Sequence, residues 1–242
     1  CQCSAKNYLV VMEDCDLEKT TSSVMTSFFG NAGQRCLAGG NLAIVTKDDN
    51  FYRKVVNAVV EKAKRIVVGY GLDTEVTMGP VRSPDKKERI VGYIEKGIEE
   101  GAKLILDGRK PKIKGDYPDT CFLGPTIFED VTPDMVIAQE EIFGPVMPII
   151  RFESLDEAIE AINTKTTYGN AATIYTSNGK YARQFIYEVK CGNVGINIGI
   201  VAPMAFFPFG GMRDSFFGDR HGQGRDAIEF FTERKVVISR WW

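Results

Sequence analysis

Three stretches of the chain hold side chains whose types and spacing could do chemistry. In the first, FFGNAGQRCLAGG, Cys36 sits in a loop punctuated by Gly30, Gly33, Gly39 and Gly40, with Arg35 directly before it. A thiol nucleophile needs access, a lowered pKa and backbone donors for the oxyanion it creates. Glycines on both sides let the backbone approach a ligand closely, and Arg35 favours an anion nearby. The alternative is a small buried hydrophobe in a turn. The second stretch, AQEEIFGPVMPIIRF, sets Glu140 and Glu141 before Phe143-Gly144-Pro145. A carboxylate followed by a ring and a rigid turn can grip a sugar edge and a planar ring; the alternative is a solvated acidic pair ahead of a strand. The third, APMAFFPFGGMRDSFFGDRHGQGRDAIEFF, crowds Phe206, Phe207, Phe209, Phe216 and Phe217 into a segment broken by Pro203, Pro208, Gly210 and Gly211. It suits a tunnel wall, core packing under a long loop, or both. His221, the only histidine, reads as a surface-turn residue rather than a general base.

These residues need elements to position them. Strand-like runs at Tyr8–Met12, Leu42–Val45, Ile66–Val68, Lys103–Leu106, Val146–Phe152, Ala172–Thr176 and Val194–Asn197 alternate with helix-like segments. Asp16 caps a helix with Leu17, Val24, Met25 and Phe28 inward, and Asp48 or Asp49 starts one with Phe51, Val55, Val59 and Ala63 inward. Ser83 and Pro84 open a third helix, with Ile90, Tyr93, Ile94 and Ile98 on its apolar face. Ser154 and Glu157 form a capping box, and a further helix from Gly179 to Val189 ends at Cys191-Gly192. The alternation predicts one α/β domain built on an open, mostly parallel sheet with helices on both faces. The tail ERKVVISRWW is read as a last strand, its paired tryptophans suited to a subunit or domain contact.

Composition narrows the function further. The 242 residues carry 30 basic and 32 acidic side chains, for a net charge of −2 and no basic block. Nucleic acid and anionic membrane are thereby disfavoured as partners. Six cysteines without a C-x-x-C pair, beside one histidine, exclude the usual zinc sites and point to a reducing, intracellular setting. No metal is expected. The chain opens on CQCSAKNYLVV without Met and reads as the C-terminal part of something longer. No G-x-G-x-x-G lies between a strand and a helix, so most of any dinucleotide site is expected outside the chain.

Together the three stretches resemble the aldehyde dehydrogenase superfamily: GQRC its thiol loop, EEIFGPV its nicotinamide-ribose contact and PFGGMRDS its late substrate-tunnel motif, in the family's order. Finer matches in GPVRSPDKKERIVGYIEKGIEEGAKL and APMAFFPFGGMRDSFFGD are similar to the CoA-acylating methylmalonate-semialdehyde dehydrogenase branch. The resemblance implies a catalytic thiol domain over 1–231, an oligomerisation strand over 232–242, and an NAD-binding domain that is not in this chain. It implies Cys36 as nucleophile, Arg35 and Phe209 at the substrate, and Glu141 and Phe143 at NAD. The reaction implied is NAD-dependent oxidation of malonate or methylmalonate semialdehyde to acetyl-CoA or propionyl-CoA with loss of carbon dioxide. Coenzyme A is the co-substrate, and the implied assembly is a homo-dimer or homo-tetramer in the cytoplasm or, in a eukaryote, the mitochondrial matrix.

Where hydrolytic relatives carry a glutamate that activates water, this chain aligns Gln2, and the branch's usual residue there is Asn. An amide cannot accept that proton, which favours exchange with a thiol such as CoA. Arg35 then suits the carboxylate of an acid semialdehyde, unless it serves as a structural ion pair or a donor to a backbone carbonyl. A hydrolytic dehydrogenase giving a free acid and an inactive structural domain are the remaining alternatives.

Overall fold

Buried Val, Ile and Leu runs build the middle of the molecule. The computed structural model describes residues 2–242. Its elements are β1 Tyr8–Met12, α1 Leu17–Phe29, β2 Asn41–Val45, α2 Asp49–Ala63, β3 Val68–Gly69, α3 Pro84–Glu99, β4 Lys103–Leu106, β5 Ile113–Lys114, β6 Thr126–Glu129, α4 Val136–Gln139, β7 Val146–Phe152, α5 Leu155–Thr164, β8 Tyr168–Gly169, β9 Ala171–Tyr175, α6 Gly179–Glu188, β10 Asn193–Ile196, β11 Met212–Arg213 and α7 Gly224–Phe230. Seven strands form the main sheet in the order β10-β9-β1-β2-β7-β6-β4. Every pair in it is parallel except β4 against β6. All five residues of β1, β2 and β9 are buried, as strands covered on both faces must be. The expected open, mostly parallel α/β sheet is therefore the fold.

Local chemistry places most helix starts where the sequence puts them. Asp16 accepts from Lys19 N–H at 3.1 Å, Asp48 from Asn50 N–H at 2.8 Å and Ser154 from Glu157 N–H at 3.2 Å. The capping box closes one residue early: Glu157 reaches the N–H of Glu153, at 3.0 Å, rather than that of Ser154. Ser83 bonds the Asp85 carboxylate instead of a backbone amide. Ile98, expected inward, is exposed, because α3 buries only the stripe of Ile90, Ile94 and Gly97. The helix from Gly179 stops at Glu188, where Val189 turns extended, before Cys191-Gly192 is reached. Strand β6 carries polar ends and no apolar alternation; its Glu129 is buried because Arg53 and Lys103 pair with it. The expected terminal strand does not form within the chain. Residues 232–242 join no ladder, and Val236, Val237, Ile238, Trp241 and Trp242 are exposed, since a strand needs a neighbouring edge for its backbone groups.

Candidate active site

Because β1, β2, β7, β9 and β10 run parallel, their amino ends share one edge of the sheet. The motif-bearing segments arrive there. Lys6-Asn7 lead into β1, the Cys36 loop into β2, Glu140–Gly144 into β7, and Asn193 at the start of β10 ties down Gly210 through two hydrogen bonds of 3.1 Å.

The thiol loop begins with three successive left-handed residues, Asn31 (φ 55°), Ala32 (φ 51°) and Gly33 (φ 69°). Such backbone is costly for residues with a Cβ and persists where its surroundings impose it. Gly33 is required twice over: besides its φ, a Cβ there would lie 2.3 Å from Gly144 O. The chain then makes a turn in which Ala38 N–H donates to Arg35 O at 3.0 Å. Cys36 stands at the turn's first central position, exposed. Its carbonyl accepts from Asn7 Nδ2 at 2.9 Å and Asn170 Nδ2 at 2.7 Å, and Asn7 also donates to Ala38 O at 2.7 Å. Among the described residues the Cys36 N–H has no partner. An accessible thiol beside a free amide donor is what nucleophilic attack on a carbonyl needs, and it answers the buried-hydrophobe alternative. Arg35 is half-buried, its Nη1 3.4 Å from Thr26 O, and no carboxylate among the described residues lies within ion-pair reach of it.

The acidic pair divides into two roles. Glu140 is exposed and takes a 2.7 Å hydrogen bond from Tyr93 OH. Glu141 is half-buried, and its Oε1 accepts from Ala5 N–H at 3.2 Å. Burial raises the Glu141 carboxyl above its usual range, opposed by the Ala5 and Ser4 hydrogen bonds and by Arg89 and Lys6. Arg89 clamps the turn by donating to Glu141 O at 2.7 Å and Ile142 O at 2.9 Å. Phe143 follows with φ 57° and is 43% exposed. Arg35, Glu141 and Phe143 line one small crevice together with Lys6 and Asn7. Glu141 and Phe143 also face a neighbouring cleft of about 290 Å³, with Arg82, Lys86 and Arg89 on its walls. Phe209 lines neither; it lies on the 197–223 segment between β10 and α7, with its N–H on Gly222 O at 2.9 Å. In that segment Phe206 and Phe207 are exposed and belong to no core of this chain. His221 stacks on Phe216 at 4.0 Å and contacts Gly211 O and Asp226, bracing the loop.

The sequence profile of the aldehyde dehydrogenase family matches residues 1–237. The chain belongs to the aldehyde dehydrogenase family. It is 48% identical over 237 residues to malonate-semialdehyde dehydrogenase 1 of Geobacillus kaustophilus (strain HTA426), covering 98% of this chain and 47% of that protein. It is 46% identical over 238 residues to malonate-semialdehyde dehydrogenase 2 of Bacillus thuringiensis (strain Al Hakam), again covering 98% and 47%. It thus spans about half the length of the curated relatives it matches. The crystal structure of methylmalonate-semialdehyde dehydrogenase from Oceanimonas doudoroffii superposes with a TM-score of 0.94 at 36% identity, over 99% of this chain and 48% of that one. A candidate methylmalonate-semialdehyde dehydrogenase of Sinorhizobium meliloti 1021, solved with NAD, gives 0.95 at 37%, over 100% and 48%.

In this aldehyde dehydrogenase chain, four asparagines along the amino edge lie outside the three motifs. Asn7, Asn41, Asn170 and Asn193 are all buried. Asn41 Nδ2 donates to Ala138 O at 2.8 Å, ahead of the Glu140–Phe143 turn. Three of them follow glycine and precede an apolar run: Gly40-Asn41, Gly169-Asn170 and Gly192-Asn193. That repeated Gly-Asn before a strand was the available signal, because a polar amide entering a buried sheet must find partners.

Proposed function

We propose that this chain is the thiol-bearing part of an NAD-dependent, CoA-acylating dehydrogenase acting on malonate or methylmalonate semialdehyde. Residues 1–231 are its catalytic domain, 232–242 its oligomerisation segment, and the dinucleotide-binding domain lies outside the chain. The observation that carries the reading is the Arg35–Ala38 turn, where an exposed thiol stands with an amide and a guanidinium that have, among the described residues, no acceptor and no carboxylate respectively.

Cys36 Sγ, as thiolate, adds to the aldehyde carbon, and the Cys36 N–H donates to the oxygen that becomes negative. NAD, when bound, supplies the hydride acceptor. Glu141 and Phe143 fit its nicotinamide ribose: a half-buried carboxylate held by Ala5 offers acceptors to hydroxyls, and the exposed ring offers a flat face. Loss of hydride leaves a thioester on Cys36. Arg35 pairs with the carboxylate two carbons from the reacting carbon. When carbon dioxide leaves, the electron pair of the broken C–C bond passes into the thioester carbonyl, and the enolate formed takes up a proton. The thiolate of CoA then attacks the thioester and Cys36 thiolate departs, giving acetyl-CoA or propionyl-CoA.

Gln2 supports thiol over water as acceptor. It pairs with Phe216, and the following residues are stitched to the late loop by Cys3 N–H on Ser215 O at 2.9 Å and Ser215 Oγ on Ser4 O at 2.7 Å. The amide at that place cannot take a proton from water. In the full-length enzyme, steady NADH formation from malonate semialdehyde is expected to require CoA and to yield acetyl-CoA. Equal turnover with and without CoA, with a free acid as product, overturns the acylating reading in favour of hydrolysis.

A further inference from the structure

We infer that Gly30 determines the preference for an acid semialdehyde over a neutral aldehyde, by leaving the notch in which the Arg35 guanidinium is seated. The inference rests on Arg35 as the carboxylate anchor. Gly30 ends α1 with φ −59° and ψ 132°, a conformation open to any residue, so its torsions do not call for glycine. Space does. A Cβ at position 30 would lie 2.7 Å from Arg35 Nη1, 3.3 Å from Nη2 and 3.4 Å from Cζ, and these three atoms are its nearest neighbours.

Other glycines around the site exclude a side chain for a different reason. At Gly33 a Cβ meets the backbone of Gly144, at Gly39 the buried ring of Phe28, and at Gly144 the buried Ile90. Those positions hold the loops together. At Gly30 the obstacle is the tip of a flexible side chain, so a methyl group moves the guanidinium and leaves the backbone in place.

Little else holds that guanidinium. Among the described residues its one hydrogen bond is to Thr26 O at 3.4 Å, a carbonyl in the last turn of α1, where the helix dipole favours a cation. The remaining donors of the fork have no carboxylate within ion-pair reach among the described residues. Bidentate capture depends on where the plane of the fork lies, so displacing it weakens binding of a carboxylate and leaves a neutral aldehyde unaffected.

The test uses the full-length enzyme with malonate semialdehyde and propanal as paired substrates. Gly30→Ala is expected to raise KM for malonate semialdehyde about tenfold while propanal kinetics stay within about twofold, with Tm shifted by no more than about 2 °C. Arg35→Leu is expected to raise the same KM selectively, and adding Gly30→Ala to it is expected to change nothing further. Selective loss in Arg35→Leu but not in Gly30→Ala overturns the role of Gly30 and leaves the anchor standing. Equal losses on both substrates in Arg35→Leu overturn the anchor and the inference together. Equal losses in Gly30→Ala with a fallen Tm make the glycine purely structural and also overturn the inference.

Discussion

Cys36 and Lys6 meet the same edge of the sheet in opposite ways. Cys36 is exposed, whereas burial pushes the Cys191 thiol up to about 12 and removes it from nucleophilic chemistry. Lys6 is buried beside the crevice that Arg35 and Glu141 line. Desolvation brings its amine down to about 7 against the pull of Glu141 and Glu140. The unfolded chain keeps that proton up to the ordinary lysine value of 10.5. Between these values the unfolded state binds more protons, so stability rises with pH, by at most about 1.4 kcal/mol per pH unit for one proton. The urea midpoint is expected to climb from pH 7 to 9, and Lys6→Met to flatten that climb. An unchanged pH slope in Lys6→Met removes Lys6 as its source.

Among the elements, the loops do the positioning and the strand ends hold the loops. The helix caps at Asp16, Asp48 and Ser154 are legible in the sequence because each side chain bonds a backbone amide two or three residues away. The amide clamp on Cys36 is not, since Asn170 lies 134 residues from the carbonyl it holds. The clamp is expected to fix the direction of the thiol. Asn170→Ala should lower kcat about tenfold, equivalent to about 1.4 kcal/mol, and slow iodoacetamide labelling of Cys36, while KM for NAD stays near its original value. Unaltered labelling with a general loss of Tm would reduce Asn170 to a structural residue.

For the whole molecule, the placement of the candidate site runs against a common rule. Open α/β sheets usually bind ligands beyond the carboxyl ends of their strands. Here that edge carries a cavity of about 920 Å³ bordered by Glu13, Asp14, Thr46 and Lys47, yet every motif residue that reaches the sheet arrives at the amino edge. Among the described residues no helix is long and apolar enough to cross a membrane. The exposed Val236, Val237, Ile238, Trp241 and Trp242 form the apolar surface that the proposed subunit contact would cover. Removing residues 232–242 from the full-length protein is expected to lower its mass in light scattering. An unchanged mass would assign the segment to a contact within one subunit.

Types and order of residues were enough to read the fold class, most of the caps, the glycine-bracketed loop around Cys36 and the rigid turn that follows Glu141. Apolar periodicity, capping and glycine-rich turns are all local in sequence. The boundaries of β9 and β10, the buried ion pairs of β6 and the open end of 232–242 depend on which strand edge or charge lies opposite, and that is settled across the sheet. The same holds for the two asparagines on the Cys36 carbonyl and for the notch at Gly30. A glycine with ordinary torsions looks interchangeable until packing puts a guanidinium where its side chain would be.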